Sequence, residues 1–273
     1  MSTKLFNTTL LILSLCCSAT PARTPMGPPA AGLEKGEWSI GFNVSKTETD
    51  LKFQNIRGTT FFTTNKINDF EIKSVMGKLA YGINDNWEVS VGFGASEARY
   101  KELRSWMDGM SLETLNTEYK SDSGYITEIG SRVTFHEDGP LKIGASFQVN
   151  WTTLDGKYAE ASWTDSVFNG SGGAELDTDI IVFQFAPGIS YELFDDFNLY
   201  CGPLWQWIDG EGDATGLNGI LTGKKGEGDI TQDSSFGGFI GFHHNIDSDM
   251  TINFEWNARG SSNAFAFSIA KKF

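Results

Sequence analysis

Three histidines and a scatter of carboxylates are the groups in this chain with acid–base or metal chemistry to offer. The histidines of the 273-residue sequence are His136, His243 and His244. A hydrolytic site needs a base within hydrogen-bond reach of an acid or a nucleophile. His136 opens the turn-like stretch 136–140, while His243 and His244 precede another at 245–249, more than a hundred residues later. That separation predicts neither a shared metal site nor a catalytic pair. The acidic run Asp209-Gly210-Glu211-Gly212-Asp213 resembles a calcium loop only superficially. It lacks the sixth-position glycine and closing glutamate of a twelve-residue EF-hand loop, so it reads as a solvated loop. The sequence therefore predicts no catalytic residue, no metal site and no cofactor.

A second polar set recurs at alternate positions: Glu88, Glu128, Arg132, Gln148, Gln184, Tyr200, Gln206, Asn253, Glu255 and Arg259. If these residues face an enclosed lumen, opposite charges must pair, because an unpaired buried charge is costly. The expectation is a network that fills the lumen. The alternative is a narrow channel for ions or small polar solutes.

Both readings require strands to position these side chains. Residues 250–258 alternate Met250, Ile252, Phe254, Trp256 and Ala258 with Thr251, Asn253, Glu255 and Asn257. The last segment alternates Phe265, Phe267, Ile269, Lys271 and Phe273. Period two means a strand with one apolar and one polar face. Similar segments begin near residues 37, 69, 87, 125, 141, 181, 197 and 236, giving ten strands. Tight turns near 82–86, 136–140, 193–196 and 245–249 alternate with long connections at about 47–68, 97–122, 153–177 and 209–232. The second connection, carrying Trp106, Met107, Met110 and Leu112, is expected either to fold over the mouth as a short helix or to dock a partner or lipid headgroups.

The apolar face is banded. Trp38, Tyr81 and Trp87 stand at the turn end, and Trp151, Trp205, Trp207 and Trp256 at the other, with smaller apolar residues between. Two aromatic belts match the two headgroup levels of a bilayer. The polar face holds Gly92, Gly94, Gly130, Gly144, Gly188, Gly202 and Gly237, poor choices for a water-facing strand. Lys271 is the one charge on the apolar face within these segments. A charge at mid-depth would cost about 2–4 kcal/mol, but Lys271 lies near the chain end. Pro187 and Pro203 interrupt facing strands, which predicts a bulge or a local thinning of the wall.

Residues 1–22 have the layout of a secretory signal: Lys4, the apolar run Leu10 to Cys17, then Ser18, Ala19 and Ala22. Residues 23–35 are rich in Pro, Gly and Ala and read as a flexible lead-in. Residues 36–273 form one domain. Beyond the signal only Cys201 remains, so no internal disulfide is possible. A net charge of -14 argues against nucleic-acid binding.

At this point the chain resembles the small outer-membrane β-barrel proteins of Gram-negative bacteria, over about residues 36–273. The resemblance implies an all-β, closed antiparallel transmembrane barrel with short periplasmic turns, long extracellular loops and residues 23–35 in the periplasm. It implies contact with the lipid bilayer and lipopolysaccharide. It also implies that Phe265, Phe267, Ile269 and Phe273 carry the signal read by the barrel-assembly machinery. Lys271 departs from that pattern, which prefers an apolar residue there. Barrels of ten strands include the omptin proteases, whose chemistry sits on the outer rim. The three histidines here fall at the tight-turn end, so a structural or surface-interaction role is expected and an enzyme is not.

Overall fold

The computed structural model describes residues 26–58, 64–100, 102–107, 110–122, 124–164, 169–219, 222–232, 235–260 and 262–273. The proposed signal segment, 1–22, lies outside the described residues. Among the described residues thirteen strands follow in order: β1 (Trp38–Gly58), β2 (Thr64–Asn84), β3 (Trp87–Tyr100), β4 (Glu102–Met107), β5 (Met110–Ser121), β6 (Gly124–Asp138) and β7 (Leu141–Thr164); then β8 (Asn169–Phe194), β9 (Phe197–Gly219), β10 (Lys225–Gln232), β11 (Phe236–Asn245), β12 (Met250–Arg259) and β13 (Ser262–Lys272).

Ten of them close a ring of antiparallel pairs: β1-β2-β3-β6-β7-β8-β9-β11-β12-β13 and back to β1. Closure leaves no sheet edge, so every strand finds its backbone partners within the wall. The apolar residues point outward: Ile40, Phe42, Val91, Phe93, Ile129, Phe147 and Ile240 are all exposed. The polar ones point inward, with Glu88, Glu128, Gln148, Gln184, Gln206 and Glu255 buried. Polarity is thus inverted relative to a water-soluble barrel. Val89 and Phe254 share the outward face of their strands and are half-buried among neighbours.

Beyond the second aromatic belt the structure departs from expectation. The stretches expected as long loops are mostly strand. β1 runs on to Gly58 and β7 to Thr164, while β8 begins at Asn169 and β9 reaches Gly219. Residues 97–122 form no helix in their described part; they complete β3 and supply β4 and β5. β4 takes up the pairing with β2 that β3 leaves, and β5 pairs with β7 above β6. β10 joins β9 to β1. The upper ring therefore closes through eight strands: β1, β2, β4, β5, β7, β8, β9 and β10.

The physical reason lies in the side chains. Past the belt, alternation continues with its sign reversed. On β1, Lys46, Glu48, Asp50 and Lys52 now point outward while Leu51 and Phe53 turn in, both buried. The inward residues form a core of Leu51, Phe53, Ile67, Phe70, Ala98, Tyr100, Leu154, Leu176, Ile180 and Ile230. This collar is packed like a soluble protein, and it stands on a barrel packed like a membrane protein.

The prolines also differ from expectation. The β8–β9 ladder pairs Phe185 with Trp205 and Ile189 with Cys201, and the three pairings between them are missing. Register is the same on both sides of that gap, so Pro187 and Pro203 face each other without a bulge. Gly188 and Gly202 let the strands stay close: a Cβ on Gly202 would lie 2.1 Å from the Pro187 carbonyl oxygen. The ring of Phe239 covers both glycines from inside, so the wall is not thinned. Cys201 is a free thiol on the outer face.

Candidate functional site

The lumen is the place where ionisable groups converge, and its lower half contains a part of the chain expected elsewhere. Residues 26–35, expected as a flexible lead-in, enter the barrel from the turn rim. Met26, Ala30, Ala31 and Leu33 are buried. Gly36 and Glu37 hold the entry point by backbone bonds to Gly82 at 2.8 and 3.0 Å. The segment suits a narrow lumen because its side chains are small and because Pro28 and Pro29 bring no N–H to satisfy.

Inward-facing carboxylates meet four of the N–H groups that remain. Glu255 accepts from Met26 N at 3.2 Å and from Gly27 N at 2.9 Å. It also accepts from Tyr200 Oη at 3.3 Å and Asn257 Nδ2 at 3.1 Å. Glu88 accepts from Gly32 N at 2.7 Å and Leu33 N at 3.2 Å, and pairs with Arg132 at 2.5 Å. Thr134 Oγ1 accepts from Ala31 N at 3.0 Å. Glu128 pairs with Lys78 at 2.6 Å. Charge-assisted bonds of this kind are stronger than neutral ones, and here they pin a strap across the lumen.

Above the strap the lumen changes to neutral amides. Asn150 Nδ2 donates to Gln184 Oε1 at 3.5 Å, and Gln184 Nε2 to Gln206 Oε1 at 3.2 Å. Gln148 is buried in the same zone. Higher again lies the apolar core of the collar. A cavity of about 40 Å³ marks the boundary, lined on one side by Thr47, Thr49, Ser74 and Asn150 and on the other by Leu51, Ile72 and Ile180.

Each sequence-predicted lumen residue thus lies on the inner face, and Glu88, Arg132, Glu255 and Tyr200 are brought into one network with the strap. Asn253 stands nearer the turn rim, bonded to His243 Nδ1 at 2.7 Å. Arg259 is buried at the far end of β12. Lys78, Thr134, Asn257 and the strap itself were missed. The signal for the strap was the run of Pro, Gly and Ala, which reads equally as a linker.

The belt residues Trp38, Trp87, Trp151, Trp207 and Trp256 are exposed on the outer face. Tyr81 and Trp205 are half-buried against neighbouring rings, with Trp38–Tyr81 centroids 4.6 Å apart and Trp205–Phe236 centroids 5.1 Å apart. Phe265, Phe267 and Ile269 lie on β13 between β1 and β12, and Phe273 bonds to Trp38. Lys271 pairs with Asp249 at 3.4 Å at the turn rim.

The histidines do not form a site. His243 Nε2 meets Asn245 Oδ1 at 3.0 Å, and His244 Nδ1 meets the Asp196 carbonyl at 2.9 Å. Both brace tight turns, and His136 is exposed near the same rim. Among the described residues no group of three or more His, Cys, Asp or Glu is arranged to hold a metal.

No protein-family model and no curated protein matches the chain. Solved structures do. The outer-membrane protease OmpT of Escherichia coli aligns over 86% of this chain and 94% of its own, with a TM-score of 0.54 and 9% identity. The chain has the fold of a ten-stranded outer-membrane β-barrel. OprG of Pseudomonas aeruginosa, an outer-membrane protein, aligns over 89% of this chain and 98% of its own, with a TM-score of 0.45 and 12% identity. At these identities the likeness is one of fold. In barrels of this fold the tight turns lie at the periplasmic rim and the longer connections at the outer rim.

Proposed function

We propose that this barrel acts at the cell surface through its collar, as a structural or interaction protein, with its lumen closed to flow. The observation that carries this reading is the strap of residues 26–35 seated on Glu88 and Glu255, beneath an amide layer and an apolar core. The lumenal cavities at the amide–apolar boundary and beside the strap hold about 40 and 50 Å³. That is room for a few waters, each of which occupies about 30 Å³ in the liquid. Planar-bilayer recording of the refolded protein tests the reading: no unit conductance steps are expected. Stable steps from the intact chain would overturn it.

The rival is a narrow, gated channel. In its favour, the strap is held by hydrogen bonds and by Met26 packed among Ala186, Tyr200, Leu204 and Phe239, contacts that can release, and it borders a polar cavity lined by Asn43, Lys78, Arg132 and Asn253. A variant lacking residues 26–35 separates the two. On the closed-barrel reading it conducts feebly, because the amide layer and collar core remain in place. On the channel reading, removal of the strap produces full, steady steps.

We also propose that the chain is not an enzyme, because His243 and His244 brace tight turns and His136 lies exposed near the same rim. Changing His136, His243 and His244 together should alter turn stability and no hydrolytic activity. The last strand and Phe273 are proposed to engage the assembly machinery, and the outer face to meet lipopolysaccharide.

A further inference from the structure

Among the described residues, one lumenal cation lacks a charged partner. Arg259 ends β12 on its inward face and is 3% exposed. Its Nε and Nη1 have no hydrogen-bond partner, and among the described residues no carboxylate pairs with it. The other lumenal cations are matched: Arg132 to Glu88 and Lys78 to Glu128. An uncompensated buried guanidinium is costly, since it cannot shed its proton to escape. A fold that keeps one there implies something that neutralises it.

Two further orphans lie beside it. Asn257, two residues earlier on the same face of β12, pairs with Ala264 of β13, and Ala264 pairs with Thr47 of β1. Asn257 and Thr47 therefore flank one small residue in a single row of the wall. Both are buried, and neither Asn257 Oδ1 nor Thr47 Oγ1 has a hydrogen-bond partner. Arg259 stands one row higher, opposite Ser262. The unmet groups are two guanidinium nitrogens, a hydroxyl and an amide oxygen. The first three can donate to an oxyanion, while the amide oxygen asks for a donor. An anion bearing its own hydroxyl meets both demands; chloride and sulfate meet only one.

We propose that Arg259, Asn257 and Thr47 form a lumenal site for a hydroxylated oxyanion of the hydrogen-phosphate type, either free or as a monoester. The site does not depend on whether the lower lumen conducts.

The test is equilibrium dialysis of the refolded full-length barrel against radiolabelled inorganic phosphate, with heat-modifiable migration confirming that each variant is folded. One saturable phosphate per barrel is expected. Sulfate should compete at least tenfold more weakly than unlabelled phosphate, and chloride not at all. R259Q should bind at least tenfold more weakly, and N257L should lose the preference for phosphate over sulfate. Glycerol phosphate competing as well as phosphate assigns the source to monoesters; failure to compete assigns it to the free ion. If folded wild-type protein binds no phosphate saturably, the orphans hold ordered water only and the proposal falls. It falls equally if R259Q binds as the wild type does. Should R259Q fail to fold, the wild-type isotherm and its competition by sulfate decide alone.

Discussion

Trp38 and Phe273 exchange a pair of backbone hydrogen bonds, Trp38 N to Phe273 O at 3.2 Å and Phe273 N to Trp38 O at 2.8 Å. The first residue of β1 and Phe273 thus close the ring at its tight-turn rim. Deleting Phe273 removes both bonds and one ring of the lower belt. The assembled, heat-modifiable fraction in outer membranes should fall several-fold. Refolding into lipid vesicles should change much less, which separates a recognition defect from a stability defect.

Glu88 answers for three groups at once, and its removal should be severe. Glu88→Ala leaves the half-buried Arg132 without its partner and frees the N–H groups of Gly32 and Leu33. Breaking one half of a buried pair costs about 3–5 kcal/mol. Urea unfolding in vesicles should show that loss. The double change Glu88→Ala with Arg132→Met should recover part of it, because no unpaired charge then remains.

On the collar's outer face, Glu71 receives Lys46 at 2.8 Å and Arg99 at 2.5 Å. Burial pushes its carboxyl up, but hydrogen bonds from Arg99 and Lys46 outweigh that and hold it at about 2, below the ordinary 4.5. A depressed folded-state pKa contributes stability that is complete above the unfolded value and is lost as pH falls through the folded one. Collar stability should therefore hold from pH 7 to about 4.5 and decline toward pH 2. Glu71→Gln should remove that acid-induced decline, as measured by protease sensitivity of the collar across the pH series.

Two glycines should differ sharply. A Cβ on Gly202 would stand 2.1 Å from the Pro187 carbonyl oxygen, whereas one on Gly77 meets nothing nearer than 3.9 Å. Gly202→Val should abolish the folded band on gels. Gly77→Val, on the lipid-facing side, should leave it intact. Equal tolerance at both positions would contradict the close β8–β9 approach across the proline gap.

The membrane barrel was legible because its alternation has one sign throughout: Phe42, Val44, Val91 and Phe147 all fall in the outward phase. The collar was not, although it alternates just as regularly. Lys46, Glu48 and Asp50 hold the phase that Phe42 and Val44 held before, so a reading tuned to apolar outward positions ends where the bilayer ends. Leu51 and Phe53 carried the missing signal in the opposite phase. The lumenal polar residues were legible by the same parity. Their partners were not, because the bonds from Glu255 to Met26 and Gly27 join residues more than two hundred positions apart. Arg259 was recognisable as inward-facing, but only the surrounding geometry reveals that its Nε and Nη1 find no hydrogen-bond partner among the described residues.

The exchange of β11, β12 and β13 for the single strand β10 has a practical consequence for display on living cells. A peptide grafted between Arg259 and Ser262 would emerge at the height of the lipid headgroups, shaded by β10. One grafted beyond Thr164 at the end of β7 would ride about 13 residues above Trp151, some 40 Å of strand measured along its length. An antibody should reach the second and miss the first.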